Sequence, residues 1–170
     1  MRLYEPSVLD QIVLALIGEK PRHGFAVSKE LETDPSLSAV IRARRPLVYR
    51  SINSLVDAKL IRETKTEPGD QGSLRVIYAT TATGKSTTTT WLNDTVDHPR
   101  DARIELLAKF VLRNRRNLTN QQLAKRQKKL FENQAAKLQV STNLATDDVR
   151  LVSLWRVETI NAMIRLLEAV

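Results

Sequence analysis

The triplet Gly84-Lys85-Ser86, inside "YATTATGKSTTTTWL" (residues 78 to 92), has the residue types that close a phosphate-binding loop. Such a loop, G-x-x-x-x-G-K-[ST], needs its first glycine so that the backbone can turn and aim successive N–H groups at phosphate oxygens. Here the first-glycine position is Ala79, and the intervening Thr80, Thr81, Ala82 and Thr83 are mostly β-branched residues that resist positive φ angles. The motif's own geometry argues against a nucleotide-binding enzyme. Metal chemistry is no better supported: the chain has no cysteine, and His23 and His98 lie far apart in sequence with no neighbouring ligands. No cofactor is expected.

What remains is cationic chemistry. The net charge of +8 and a pI near 10 point to a polyanionic partner or surface. Residues 1 to 95 carry a net of +2 and residues 96 to 170 a net of +6. Between Ile41 and Val56 there are four arginines, Arg42, Arg44, Arg45 and Arg50, and no acid. Guanidinium groups pair bidentately with phosphate or guanine, so this arginine set is a candidate nucleic-acid contact. Its bland counterpart is a solubilising surface.

These arginines need a scaffold to aim them. Ser7 is a plausible N-cap for an amphipathic helix through Val8, Leu9, Ile12, Val13, Leu16 and Ile17 to about Glu19, stopped by Gly18 and Pro21. A second, shorter helix turns in at Gly24, with Phe25 and Leu31 as apolar anchors, and ends at Thr33-Asp34-Pro35. "SLSAVIRAR" reads as a connector. A third helix then starts at Arg45-Pro46, since proline in the first turn has no amide hydrogen to leave unpaired. Its apolar stripe is Val48, Ile52, Leu55 and Val56, and its other face presents Arg45, Tyr49, Arg50 and Asn53. Two extended runs follow, Ile61 to Thr66 and Leu74 to Thr80, joined by a turn containing Pro68-Gly69-Asp70 and Gly72. Lys65 and Arg75 flank that turn as candidate phosphate contacts. Thr81 caps a fourth helix whose first turn holds Gly84 and Lys85. The run of threonines at 87 to 90 is poor helix material and calls for fraying or tertiary support.

Three helices, a hairpin and a further helix in some 95 residues is the order of a winged helix-turn-helix, with the third helix shaped for the major groove. "ALIGEKPRHGFAVSKELE" (15 to 32), "LVYRSINSLVDAKLIRE" and "GSLRVIYATTATGKSTTTTWL" resemble the corresponding segments of the PadR-type transcriptional regulators, over about residues 8 to 92. Tyr49 stands in the place of that family's recognition-helix tyrosine. Two positions depart from the pattern. Pro46-Leu47 replace a small pair, often Gly-Thr, so the first base-reading position is expected to differ, and Thr80 replaces the leucine beneath the wing.

The fold class is therefore mainly α with a small β-hairpin: a winged helix-turn-helix domain (residues 1–95) followed by an α-helical dimerisation domain (96–170). The resemblance implies that second role for the C-terminal region, and its pattern agrees. Helices are expected near 101–116, 119–139 and 147–169, and the last is apolar over most of its circumference. A helix of that kind is buried on two sides, the second most simply by another subunit. Candidate interface residues are Leu107, Val152, Trp155, Ile160, Met163, Ile164 and Leu167. Trp91 and Trp155 read as core or interface residues, and Lys125, Arg126, Lys128 and Lys129 as a solvated helix face. With no signal peptide and no membrane span, the reading is a cytoplasmic homodimer on double-stranded DNA carrying an inverted repeat. In the leading function class it is a repressor whose operator binding a small-molecule effector would release through the C-terminal helices. A winged-helix module for RNA or protein contact and the nucleotide-binding enzyme remain as alternatives.

Overall fold

The structure, a computed structural model, describes residues 4–68, 74–143 and 147–170; the expected turn at Gly69, Asp70 and Gly72 lies outside them. The chain runs α1 (Val8–Glu19), β1 (Arg22–His23), α2 (Gly24–Thr33), α3 (Pro35–Val40), α4 (Arg45–Asp57), β2 (Ile61–Pro68), β3 (Leu74–Thr80) and α5 (Ala82–Asn93). It continues through α6 (Pro99–Ala102), α7 (Glu105–Asn114), α8 (Gln121–Asn143) and α9 (Asp147–Glu168).

The Ser7 cap is present as a reciprocal capping box: Asp10 N donates to Ser7 Oγ at 3.2 Å and Ser7 N to Asp10 Oδ2 at 2.9 Å. The helix it starts is not the half-exposed one its spacing predicts. Every residue of α1 from Asp10 to Ile17 is buried, because α4, α5, α7 and β3 all pack around it. The "SLSAVIRAR" connector is likewise partly helical. Asp34 accepts from Ser36 N at 2.9 Å and Leu37 N at 3.0 Å, capping α3, whose Leu37 enters the core. These bonds, led by the Ser36 hydroxyl and the Leu37 amide, hold the Asp34 carboxyl below its ordinary value.

The hairpin is part of a three-stranded antiparallel sheet in the order β1-β3-β2, since Arg22 and His23 pair with Tyr78 and Ile77. Two residues are too few for a period-2 signal, so β1 had no signature in the sequence. The β2–β3 ladder runs from Ile61↔Thr80 to Pro68↔Leu74 with an irregularity between Glu63 and Lys65.

Gly84 owes its place to packing. A Cβ there would stand 2.0 Å from the carbonyl oxygen of Leu60, so only glycine lets the first turn of α5 lie against the α4–β2 junction. Thr81 Oγ1 accepts from Gly84 N at 3.0 Å, and the Thr81 amide and hydroxyl both donate to Leu60 O. The threonine run is held within α5. Thr87, Thr88 and Thr89 donate to the carbonyls four residues back, and Thr88 is buried.

Two apolar clusters result. One joins α1, α2, α4 and α5; the other joins α6, α7, α8 and α9. Helix α7 serves both, giving Ala108 and Leu112 to the first and Leu106 and Phe110 to the second. Its end binds the N-terminal elements through charge. Arg115 donates to Glu19 on α1 (2.8 Å), to Asp34 capping α3 (2.7 Å) and to Glu30 on α2. Glu19 first, and then Glu30, hold the Arg115 guanidinium above its ordinary range. Helices α8 and α9 run antiparallel, as the Lys128–Glu168 ion pair at 2.8 Å between the start of one and the end of the other requires.

Candidate nucleic-acid interface

The candidate face is built by α4. Val48, Ile52 and Leu55 are fully buried beneath it, each contributing about 1.5–3 kcal/mol of apolar burial, while Val56 is only half-buried. That stripe fixes the helix's rotation about its own axis. Arg45, Tyr49, Arg50 and Asn53 are consequently exposed on the outer side, and Arg42 and Arg44 are exposed in the segment just before the helix. Arg44 is the N-cap residue and makes no side-chain cap bond, so the positive end of α4 opens to solvent. Arg42, Arg44 and Arg45 also line a concave surface between α4 and α2–α3, with the acidic Glu32 on its far side.

Tyr49 lies against the α2 N-terminus. A Cβ at Gly24 would sit 2.8 Å from Tyr49 Cε1, so the glycine makes room for the ring. Next to it His23 caps α2, its Nδ1 accepting from Ala26 N at 3.1 Å. Phe25, the expected anchor of α2, is 37% exposed; Val27 and Leu31 are the buried anchors. The Phe25 ring instead faces cations, with the Arg45 guanidinium 4.8 Å and the Arg75 guanidinium 6.0 Å from its centroid. Phe25, Tyr49, Arg75 and Tyr78 line a pocket of about 410 Å³ between the wing and α4. Burial, and then Glu63 and Tyr49, push the Tyr78 phenol up. On the wing, Lys65 is exposed but forms an ion pair with Glu67 at 2.6 Å.

The candidate interface residues of the C-terminal helices fall in two groups. Ile160 and Leu167 are buried in their own chain's second core, with Leu107, Met163 and Ile164 packed partly against it. Val152 and Trp155 are exposed, Trp155 by 68%, beside exposed Leu151 and Leu154. Trp91 is a core residue whose Nε1 donates to Glu105 at 2.9 Å. In the basic run of α8, Lys125 and Lys129 are exposed, Arg126 donates to Asn93 O, and Lys128 pairs with Glu168 and Glu132. A pocket of about 670 Å³ between α6, α8 and α9 has an apolar and basic lining that includes Leu138, Trp155, Arg100 and Arg156. No helix among the described residues is long and apolar enough to cross a membrane.

Residues 13–90 match the model of the transcriptional regulator PadR-like family. Among solved structures the fold is similar to Bacillus subtilis PadR in complex with operator DNA (19% identity, 96% of this chain and 97% of that one, TM-score 0.51). Lower similarity is found to smu.1604c of Streptococcus mutans UA159 (17%, 94% and 96%, TM-score 0.45). The same holds for the PadR-like regulator BC1756 of Bacillus cereus (15%, 99% and 97%, TM-score 0.43). No curated protein matches the sequence.

Proposed function

Since residues 13–90 form a domain of the PadR-like family of transcriptional regulators, we propose that this chain binds an operator as a homodimer. In that reading residues 1–95 hold DNA and residues 96–170 pair the subunits. The observation that carries it is the outer face of α4 and the segment that leads into it: Arg45, Tyr49, Arg50 and Asn53 on the helix and Arg42 and Arg44 just before it, all exposed, with no acid from Ile41 to Val56. Arg50 and Asn53 read bases, Arg suiting guanine and Asn adenine. Arg42, Arg44, Arg45 and the wing's Arg75 hold phosphate, which sets register without reading sequence, and Lys65, paired with Glu67, adds a weaker contact. Operator binding by the similar Bacillus subtilis protein supports duplex DNA as the partner.

The second subunit covers the exposed Val152 and Trp155 of α9. Repression, with release by an effector seated between α6, α8 and α9, is the regulatory mode we assign, in the cytoplasm where the DNA lies. Selection of bound duplexes from a random pool tests the reading. The expected product is an inverted repeat, because a two-fold dimer presents two α4 helices, commonly about 34–36 Å apart. Selected sites without dyad symmetry would overturn it.

A further inference from the structure

We infer that Arg115 is a positioning residue for operator binding: by joining the end of α7 to the helix-turn-helix, it fixes how each α4 is held relative to the subunit-pairing helices, and with it the half-site spacing that the dimer accepts. The inference rests on the proposed duplex binding by a homodimer. Arg115 is the C-cap residue of α7, and its one guanidinium serves three elements. Nε and Nη2 form a fork on Glu19 at the end of α1, both at 2.8 Å, Nη1 donates to Asp34 of the α3 cap at 2.7 Å, and Nη2 donates also to Glu30 of α2. Arg22 of β1, itself buried, donates to the same Glu19 at 3.3 Å and Glu30 at 2.9 Å, so two guanidinium groups share both carboxylates. Arg116, next in the chain, donates to Ala15 O of α1 at 2.9 Å.

Helix α2 packs against both α3 and α4, so what holds α2 and the α3 cap also holds the proposed reading helix. The other end of the connection is apolar. Leu106 and Phe110 of α7 lie in one cluster with Phe131 of α8 and Ile160 of α9. The hydrogen bonds that α8 itself makes, from Arg126 to Asn93 O and between Gln127 and Val96, reach the end of α5 and the residues after it, whereas Arg115 reaches the helix-turn-helix directly. A guanidinium forked on one carboxylate and bonded to two more is held in one orientation, which a point charge on a flexible stem would not impose. None of the four side chains is more than 27% exposed, so salt screens this cluster less than a surface pair. In a dimer the second half-site binds intramolecularly, with an effective concentration that is greatest where the protein's geometry matches the spacing of the sites. A stiff joint narrows the range of spacings accepted; a loose one broadens it.

The test uses the full chain at one salt concentration with three kinds of duplex: the selected inverted repeat, the same repeat with its spacer lengthened or shortened by one or two base pairs, and a single half-site. Arg115→Gln is expected to bind the single half-site within about 2-fold of the parent, to lose about 10-fold on the selected spacing, and to bind the altered spacings nearly as well as the selected one. Arg115→Gln/Glu19→Gln removes one charge of each sign from the cluster and should behave alike, which separates the lost tie from repulsion among unpaired carboxylates. Circular dichroism and light scattering report that the variants fold and pair, and if Arg115→Gln does not fold, the double variant decides. The inference is overturned if the variants keep the parent's spacing preference, or if their loss on the selected repeat is matched by an equal loss on the single half-site, as a merely structural role would produce. Failure of both variants to fold overturns it also, since Arg115 would then hold the fold and not the spacing. A parent protein that retains no duplex, or selects sites without dyad symmetry, overturns the proposed function instead.

Discussion

At the scale of single residues, the proposed base-reading and phosphate-contact roles predict different outcomes. Arg50 and Asn53 project, exposed, from the side of α4 opposite the buried Val48 and Ile52. Replacing either by alanine should cost about 1–3 kcal/mol on the selected duplex and relax preference at one base pair, leaving scrambled duplex almost unaffected. The wing residues differ from one another. Arg75 lies 6.0 Å from the centroid of the Phe25 ring, and the exposed Lys65 ammonium pairs with Glu67 at 2.6 Å. Arg75→Ala should therefore lower affinity for every duplex and flatten the salt slope by about 1 for each phosphate no longer neutralised, and Lys65→Ala should do much less. Glu67→Gln should strengthen binding to all sequences by freeing that lysine. The same titrations decide it: a Lys65→Ala variant weaker than Arg75→Ala would refute the neutralised wing lysine.

At the scale of elements, the decisive junction is where α5 meets the end of α4. The left-handed residue Lys59 (φ 58°) turns the chain out of α4, and Leu60 O then accepts from the Thr81 amide and hydroxyl while Gly84 passes above it. Gly84→Ala would gain about 1 kcal/mol of intrinsic helix propensity in α5. It would also place a methyl group 2.0 Å from a backbone oxygen that has no side-chain freedom to escape. The second effect is larger, at the upper end of the roughly 1–3 kcal/mol typical of overpacking, so the variant should be less stable by about 2 kcal/mol. The denaturant midpoint measures this, and a rise in it would mean that α5 can shift freely. Gly84, within the triplet that resembles a phosphate loop, is thereby accounted for by steric fit and by the bond of its amide to the Thr81 cap.

At the scale of the whole molecule, α7 decides which truncations make sense. Because Ala108 and Leu112 complete the N-terminal core and Arg115 ties α1, α2 and the α3 cap, a chain cut after residue 95 loses core and ion pairs together and should aggregate. A chain cut after Asn120 keeps α7 and the Arg113–Asn120 bond, and should be a folded monomer by light scattering. In the full chain, Val152→Glu with Trp155→Glu should also give a monomer with an unchanged helical spectrum, since both side chains are exposed and a tryptophan offers about 150–250 Å² of interface. A stable dimer from that double variant would place the subunit interface elsewhere.

The sequence alone determined the helix-turn-helix order, the α4 stripe and its outward arginines, the Ser7 and Thr81 caps and the β2–β3 strand pair. Each is written in a local period or a local hydrogen-bonding residue, and α4 shows both faces within thirteen residues. Tertiary structure alone decided what depends on residues remote in the chain. Phe25 reads as a core anchor by spacing, and only the arrival of Arg45 and Arg75 makes it a cation platform. The strand at Arg22–His23 exists because β3, more than fifty residues later, comes alongside. Helix α1 reads as amphipathic until α7 covers its outer side, and Arg115 meets Glu19 across 96 positions of sequence. In α9 the pattern shows that most of the circumference is apolar, but Ile160 and Leu167 go to the chain's own core and Val152 and Trp155 to the outside. The neighbour that divides them, α8, sets that choice through a crossing geometry no single-helix periodicity contains.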